Sequence, residues 1–281
     1  MKKRIEHRLP LLLFLLVLWI VLGTNLLLEK GKENWLDTDS VIKDEFRRQA
    51  FSEEIIGFLQ DQDEKPGRDA GLYLLETELG KGTLQKAYQE TTFDQLEKKW
   101  KKQASYQTYQ NICAMLWDDV KYFPVPLSKN DKAATVSYTD SWLYERSYRG
   151  NGVHEGTDIM ADKNQRGYYP VVSMTDGTIT NLGWLELGGY RVGITAPGGA
   201  YFYYAHLSSY ASVKEGMHIK AGDLLGFMGD SGYGKEEGTI GKFPVHLHVG
   251  IYLYLKGKEV SYNPYWILRY IENNRLTCRY E

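Results

Sequence analysis

Val245-His246-Leu247-His248-Val249-Gly250-Ile251-Tyr252-Leu253-Tyr254 is the stretch on which the reading of this chain turns. Side chains alternate across a strand, so a strand here points both imidazoles to one face and Leu247 to the other. Two same-face histidines in an otherwise apolar strand need polar partners or a metal ion. The surroundings share this strand character. From residue 130 onward, Gly and Pro punctuate short runs rich in Val, Ile, Thr and Tyr, at 170–173, 177–182, 190–195 and 201–206. Asp176-Gly177 and Pro197-Gly198-Gly199 supply turns between them. Of the 28 Gly and 22 Tyr, 21 and 17 lie beyond residue 130, so the two halves differ in structure. A mainly antiparallel β domain is expected over 130–275.

The preceding stretch, 29–125, reads as helical. A first helix is expected over 41–60, before a loop at 61–68 that contains Pro66-Gly67. A second is expected from Asp69 as its cap to Leu79, with Gly80 just past its end. Thr92-Phe93-Asp94-Gln95 is a capping-box pattern. It opens one long segment with Phe93, Leu96, Trp100, Ile112 and Leu116 on a single helical face. Tyr122-Phe123-Pro124-Val125-Pro126 stops it. The Lys and Glu residues here read as solvated helix faces.

At the N-terminus, Lys2, Lys3, Arg4 and Arg8 precede an apolar run over 9–22, and Leu26, Leu27 and Leu28 follow Gly23-Thr24-Asn25. Residues 9–28 suffice to cross a hydrocarbon core of ~30 Å at ~1.5 Å per residue. The basic flank stays cytoplasmic, which places the remainder outside. The expectation is a single-pass anchor over 1–28. The competing reading is a signal peptide cut after Gly23, which gives a secreted protein. No cysteine stands near the end of the run for a lipid anchor. With a net charge of −2 over 281 residues there is no footprint of phosphate-backbone binding, so no nucleic-acid partner is expected. Two cysteines, Cys113 and Cys278, exclude a disulfide scaffold and a cysteine-rich zinc module.

Six histidines hold the chemistry. His7 lies in the basic flank, and His218 reads as an ordinary strand residue. His154-Glu155-Gly156-Thr157-Asp158 sits among glycines, which argues for a loop rather than a helix. It brings an imidazole and a carboxylate together, as a structural hydrogen bond or as ligands. In Tyr203-Tyr204-Ala205-His206-Leu207, alternation puts His206 on the face of Tyr204 and Phe202. Two His and a carboxylate, with a fourth position left to water, make a catalytic zinc arrangement. Two histidines then remain for acid–base work.

At this point the sequence resembles the lysostaphin-like zinc endopeptidases that cut peptidoglycan cross-links. The resemblance covers roughly 145–255. It rests on Arg149-Gly150-Asn151-Gly152-Val153-His154-Glu155-Gly156-Thr157-Asp158-Ile159, on Tyr204-Ala205-His206-Leu207-Ser208 and on His246-Leu247-His248. The turns Asp176-Gly177 and the run from Gly222 to Gly232 lie between them. By position it implies His154, Asp158 and His248 as ligands of one Zn2+, and His206 and His246 as the catalytic pair. Three features depart from the family: Val245 precedes the His-x-His motif, Gly250 stands where Glu is common, and the stretch 233–243 is long. The implied chemistry is zinc-assisted amide hydrolysis of bacterial peptidoglycan peptides. One of the pair takes a proton from the attacking water. The other holds the tetrahedral oxyanion, worth about 3 kcal/mol on the usual scale. Glu155 is an alternative base, although beside a ligand it reads as an exposed loop residue. Tyr203, Tyr204, Tyr233, Tyr252 and Tyr254 are candidates for the groove wall. The rival classes are a wall-binding or assembly scaffold of the same fold and a sugar-binding β domain.

Overall fold

The computed structural model describes residues 9–281 except 34–35, 38, 63–64, 85–86 and 147–151; for 9–12 and 26–33 it describes the backbone alone. The basic flank with His7, residues 63–64 of the expected loop and Arg149-Gly150-Asn151 lie outside the described residues.

Helix α1 (Leu9–Glu33) runs unbroken through Gly23-Thr24-Asn25, which therefore does not interrupt it. The Thr24 hydroxyl donates back to the carbonyls of Ile20 and Val21, at 2.8 and 3.0 Å. Among the described residues no helix is long and apolar enough to cross a membrane, so the expected span rests on the sequence and is taken up below as a proposal.

The helix expected over 41–60 is broken. It becomes a 3-10 turn (Ser40–Ile42), α2 (Asp44–Arg47) and α3 (Glu53–Gln60). The break is at Gln49, whose φ of 47° is left-handed. Its buried side chain donates to the Phe46 carbonyl at 2.8 Å and accepts from Trp117 Nε1 at 3.0 Å. Helix α4 spans Pro66–Glu76, with proline in its first turn; Asp69 is not its cap but a buried partner of Arg68 at 2.7 Å. The helix stops short of Leu79 because Glu78, Leu79 and Gly80 all take positive φ. The long segment expected from Thr92 is two helices, α5 (Glu90–Trp100) and α6 (Tyr106–Trp117). One continuous helix would set Trp100 and Tyr106 about 240° apart at ~3.6 residues per turn. The turn between them lets both rings reach the core, where each is buried.

The remainder is strand. The strands are β1 (Leu127–Ser128), β2 (Val136–Ser137), β3 (Glu145–Arg146), β4 (Gly152–Val153), β5 (Thr157–Ala161), β6 (Pro170–Val172) and β7 (Gly177–Leu185). They continue as β8 (Gly189–Thr195), β9 (Tyr201–Tyr210), β10 (His218–Ile219), β11 (Leu224–Met228), β12 (His246–Leu255), β13 (Lys258–Tyr262) and β14 (Thr277–Cys278), with the short helix α7 (Tyr265–Tyr270) between the last two. Ten form one antiparallel sheet whose path is β10-β7-β8-β9-β12-β5-β2. Only β1 and β14 pair in parallel among the described strands. Inward side chains of the sheet, among them Ile159, Ile194, Phe202, Tyr204, Leu247 and Val249, are fully buried.

This core is continuous with that of the helices. Tyr262 of β13 packs edge-on against Phe46 of α2 at 5.9 Å and donates its hydroxyl to the Val41 carbonyl at 2.9 Å. Cys113 and Cys278 are free thiols.

Candidate functional site

The site lies on the opposite face of the sheet from Leu247. In β5, Thr157 and Ile159 point into the core and Asp158 points out. In β12, Leu247 is buried while His246 and His248 share the outer face. His248 stands directly across from Asp158. His154 comes from the loop before β5, pinned by backbone bonds to Leu143 and Tyr144 at 2.7 and 2.9 Å.

These side chains put three donor atoms at the corners of a triangle. His154 Nε2 is 3.0 Å from Asp158 Oδ1, His248 Nδ1 is 2.9 Å from the same oxygen, and the two nitrogens are 3.1 Å apart. Bonds of ~2.05 Å to a tetrahedral zinc ion imply donor separations of about 3.3 Å. The donor set and its spacing therefore fit a zinc ion with one position left open. The surroundings fix the lone pairs. His154 Nδ1 faces the Ser141 carbonyl at 3.2 Å and the Ser141 hydroxyl at 3.0 Å, so its proton sits there and Nε2 stays a donor to metal. Burial pushes the His154 imidazolium pKa down, although Asp158 opposes this. Burial works to raise the Asp158 carboxyl, but the neighbouring imidazoles of His154 and His248 overcome it and hold it well below the usual carboxylate range. Arg146 caps the other oxygen, Oδ2, at 2.5 Å.

His206 reaches the same face by a route that alternation does not foresee. The register of β9 against β8 slips between the pairs Tyr190–Leu207 and Val192–Tyr204. Two residues, Ala205 and His206, thus stand opposite one, a bulge that re-aims a side chain. His206 takes a φ of 63°, and its imidazole turns away from buried Tyr204 and Phe202 into the groove. The expectation that it shares their face is corrected on that ground. Its Nδ1 faces the Ser231 carbonyl at 2.8 Å, and His246 Nδ1 faces the Pro244 carbonyl at 2.8 Å. Both rings thus carry their proton on Nδ1 and present a bare Nε2. Burial lowers both pKa values, that of His206 most strongly, and keeps the imidazoles neutral. His246 Nε2 lies 3.7 Å from Asp158 Oδ1, and the His206 and His246 rings are 4.7 Å apart.

Glu155 turns away from the donor triangle. It accepts from the Ser261 hydroxyl at 2.9 Å and pairs with Arg47 at 3.4 Å. His218 sits at the sheet edge beside the Thr178 hydroxyl at 3.0 Å. Of the candidate tyrosines, Tyr203, Tyr233 and Tyr252 line the groove. Tyr204 is buried and accepts from the Met174 amide at 2.8 Å, while Tyr254 is exposed to solvent. Two departures from the family pattern acquire a use. A Cβ on Gly250 would lie 2.5 Å from the Tyr252 ring, so the glycine gives that ring its place. The long stretch 233–243 carries Phe243, which packs on His206 at 4.6 Å and on His246 at 4.9 Å. Arg146, Ser141, Ser231 and Phe243 have no spacing signal in the sequence. Only an isolated aromatic in a polar, glycine-rich stretch hinted at Phe243.

The groove encloses about 650 Å³ and also contains Arg191, Tyr201 and Leu187. A β-sheet groove with a His-Asp-His donor triangle and two further neutral imidazoles defines a metal-dependent hydrolase. Residues 152–264 match the family model of peptidase family M23, and residues 31–119 match the model described as LytM, N-terminal domain. A crystal structure of a candidate glycyl-glycine endopeptidase, lytM, from Ruminococcus gnavus ATCC 29149 is 54% identical. It superposes with a TM-score of 0.81 over 86% of this chain and 95% of that one. The chain belongs to peptidase family M23. It is also similar to the L-Ala--D-Glu endopeptidase of Bacillus subtilis (strain 168), 39% identical over 52% of this chain and 42% of that protein. Lysostaphin of Staphylococcus simulans is 32% identical over 36% of this chain and 22% of its own. The chain thus spans less than half the length of these two curated relatives.

Proposed function

We propose that the protein is a zinc-dependent endopeptidase that hydrolyses peptides of bacterial peptidoglycan outside the membrane. The observation that supports this most directly is the donor triangle of His154, Asp158 and His248, with the bare Nε2 atoms of His206 and His246 beside it. A zinc ion held by the three donors would lower the pKa of a bound water toward ~7 and polarise the scissile carbonyl. His246, nearer the triangle, accepts the proton of the attacking water at Nε2. His206 faces the same point from the bulge, and the two Nδ1 hydrogen bonds to backbone carbonyls hold both rings in the receptive tautomer. Phe243 covers both rings and keeps bulk water from them, which strengthens every charge interaction inside the groove.

Residues 1–28 anchor the chain, residues 29–125 form a helical segment, and residues 130–275 form the peptidase domain. In support of the anchor, the stretch of α1 from Leu13 to Leu22 is wholly apolar, with every side chain exposed to surroundings the protein does not cover. The Thr24 hydroxyl already has acceptors within the helix.

Metal analysis of the purified protein, followed by digestion of cell wall with and without a chelator, tests the activity. One zinc per chain and chelator-sensitive release of wall peptides are expected. Wall hydrolysis that persists in a zinc-free sample would overturn the reading. N-terminal sequencing of the membrane fraction tests the anchor. A mature start at Thr24 in soluble protein would overturn it.

A further inference from the structure

One row of residues crosses the sheet at right angles to the strands, at the level of the donor triangle. Asp158 on β5 faces His248 on β12, and His248 faces Ala205 on β9. The bulge Ala205-His206 faces Arg191 on β8, because the register on either side of it leaves no other partner. Arg191 in turn faces Gly183 on β7, whose missing side chain leaves open space beyond. The neighbours of Arg191 in β8, Val192 and Ile194, are buried in the core, while Arg191 lines the groove.

Among the described residues two arginines line this groove, and they differ in their partners. Arg146 is committed to Asp158 Oδ2. Among the described residues no carboxylate pairs with Arg191, and its Nη1 is shut off from water with no hydrogen-bond acceptor. A buried guanidinium N–H without an acceptor is costly, more so than a neutral donor. The groove wall nevertheless holds it in place. The hydroxyls of Tyr201 and Tyr203 feel its charge, which opposes the rise that burial imposes on them. Both hydroxyls sit over glycines: a Cβ on Gly193 or Gly188 would collide with the hydroxyl of Tyr201 or Tyr203. Among the described residues the floor between the metal ligands and Arg191 therefore carries aromatic side chains and no competing cation.

From this arrangement we propose that Arg191 is a specificity-determining residue that binds a free carboxylate of the substrate peptide. Strands are ~4.8 Å apart, so the His248 and Arg191 columns, two strands apart, are separated by about 10 Å. An extended peptide advances ~3.3 Å per residue, which places the carboxylate two to three residues from the bond that is cut. The planar fork of arginine suits a carboxylate bidentately, and Arg191 offers the groove its remaining N–H groups. A neutral amide in the same place meets one donor with its oxygen but turns an N–H toward another. The proposal rests on the peptidase reading above and narrows its substrate to acidic peptides.

The test uses the full-length chain and paired synthetic peptides built on L-Ala–D-Glu and on oligoglycine. Members of a pair are alike except for a glutamate or a glutamine two to three residues from the scissile bond. The parent protein should favour the glutamate member by about tenfold or more in kcat/KM, mainly through KM. In Arg191→Gln that ratio should fall to near one, in Arg191→Lys it should fall only partly, and in Arg191→Glu it should invert. Binding of the same pairs to His246→Ala, followed by fluorescence titration, reads the preference without turnover. If nothing is cleaved but the binding preference is present and Arg191-dependent, the peptidase reading fails and the subsite stands. An equal preference in parent and Arg191→Gln, by either readout, overturns the subsite whether or not peptides are cut.

Discussion

Gly156 lies between His154 and Asp158 in sequence and against His248 in space. A Cβ built there would lie 2.5 Å from His248 Cε1, 2.5 Å from His248 Nε2 and 2.5 Å from the Val249 carbonyl oxygen. Ordinary contact begins near 3.4 Å, so about 0.9 Å must be found. The carbonyl belongs to a strand paired on both sides and cannot yield. Residue 156 must shift, and with it the neighbouring His154 and Asp158 or the His248 imidazole, so a corner moves in a donor triangle whose edges are 2.9–3.1 Å. Gly156→Ala should therefore weaken zinc binding by about 10- to 100-fold, the range seen when the support of a metal ligand is disturbed. Overpacking should also cost about 1–3 kcal/mol of stability. Gly152→Ala is the control, since a Cβ there meets nothing within 4 Å. Zinc affinity is measured by competition with a chromogenic chelator, at a temperature where both variants are folded by circular dichroism. If Gly156→Ala binds zinc within twofold of the parent and turns over at the same rate, His248 does not donate from the position described.

Other outcomes follow from the same geometry. His154→Ala, Asp158→Ala and His248→Ala should each lose most bound zinc, because three donors leave no spare; stoichiometric metal in all three would refute the ligand set. His206→Ala and His246→Ala should keep zinc and lose about 100-fold or more in rate, read by metal content beside wall-peptide release. Asp176 is held down to about 2 by the Ala221 amide and by Lys121, against an ordinary 3.8. A depressed carboxyl stabilises the fold above its unfolded pKa and ceases to do so as pH falls through its folded one. Asp176→Asn should thus cost about 1 kcal/mol at pH 7, after allowance for solvent screening, and almost nothing at pH 2, by denaturant titration.

The strands around the site were legible because their chemistry is local. His246, Leu247 and His248 alternate in an apolar run, and the period alone separates the groove face from the core. His206 was not legible in the same way. Its direction is set by one extra residue in β9, and a bulge leaves no mark on composition or spacing. Only resemblance drew it to the site. The helical half misled for a related reason. Gln49 breaks a helix by satisfying Trp117, 68 positions away, and Trp100 and Tyr106 break another by reaching the same core. Arg146 and Arg191 are ordinary charges until the sheet brings one to Asp158 and leaves the other without a counterion among the described residues.

Arg47 donates to the Ser261 carbonyl at 2.9 Å and to the Ser261 hydroxyl at 2.7 Å, and it touches Glu155 in the loop that carries His154 and leads into β5. Its guanidinium also rests on Trp142, one residue from Ser141, at 5.2 Å. Together with Phe46 and Tyr262, it makes the junction between helices and sheet part of the support of the donor triangle. Heat or denaturant should then melt both halves in one cooperative transition, with no plateau at which a bare sheet keeps its chemistry. A disturbance of α2 would reach the loop of His154 directly through Arg47, so the packing of the helical segment and the shape of the donor triangle are coupled through a single arginine.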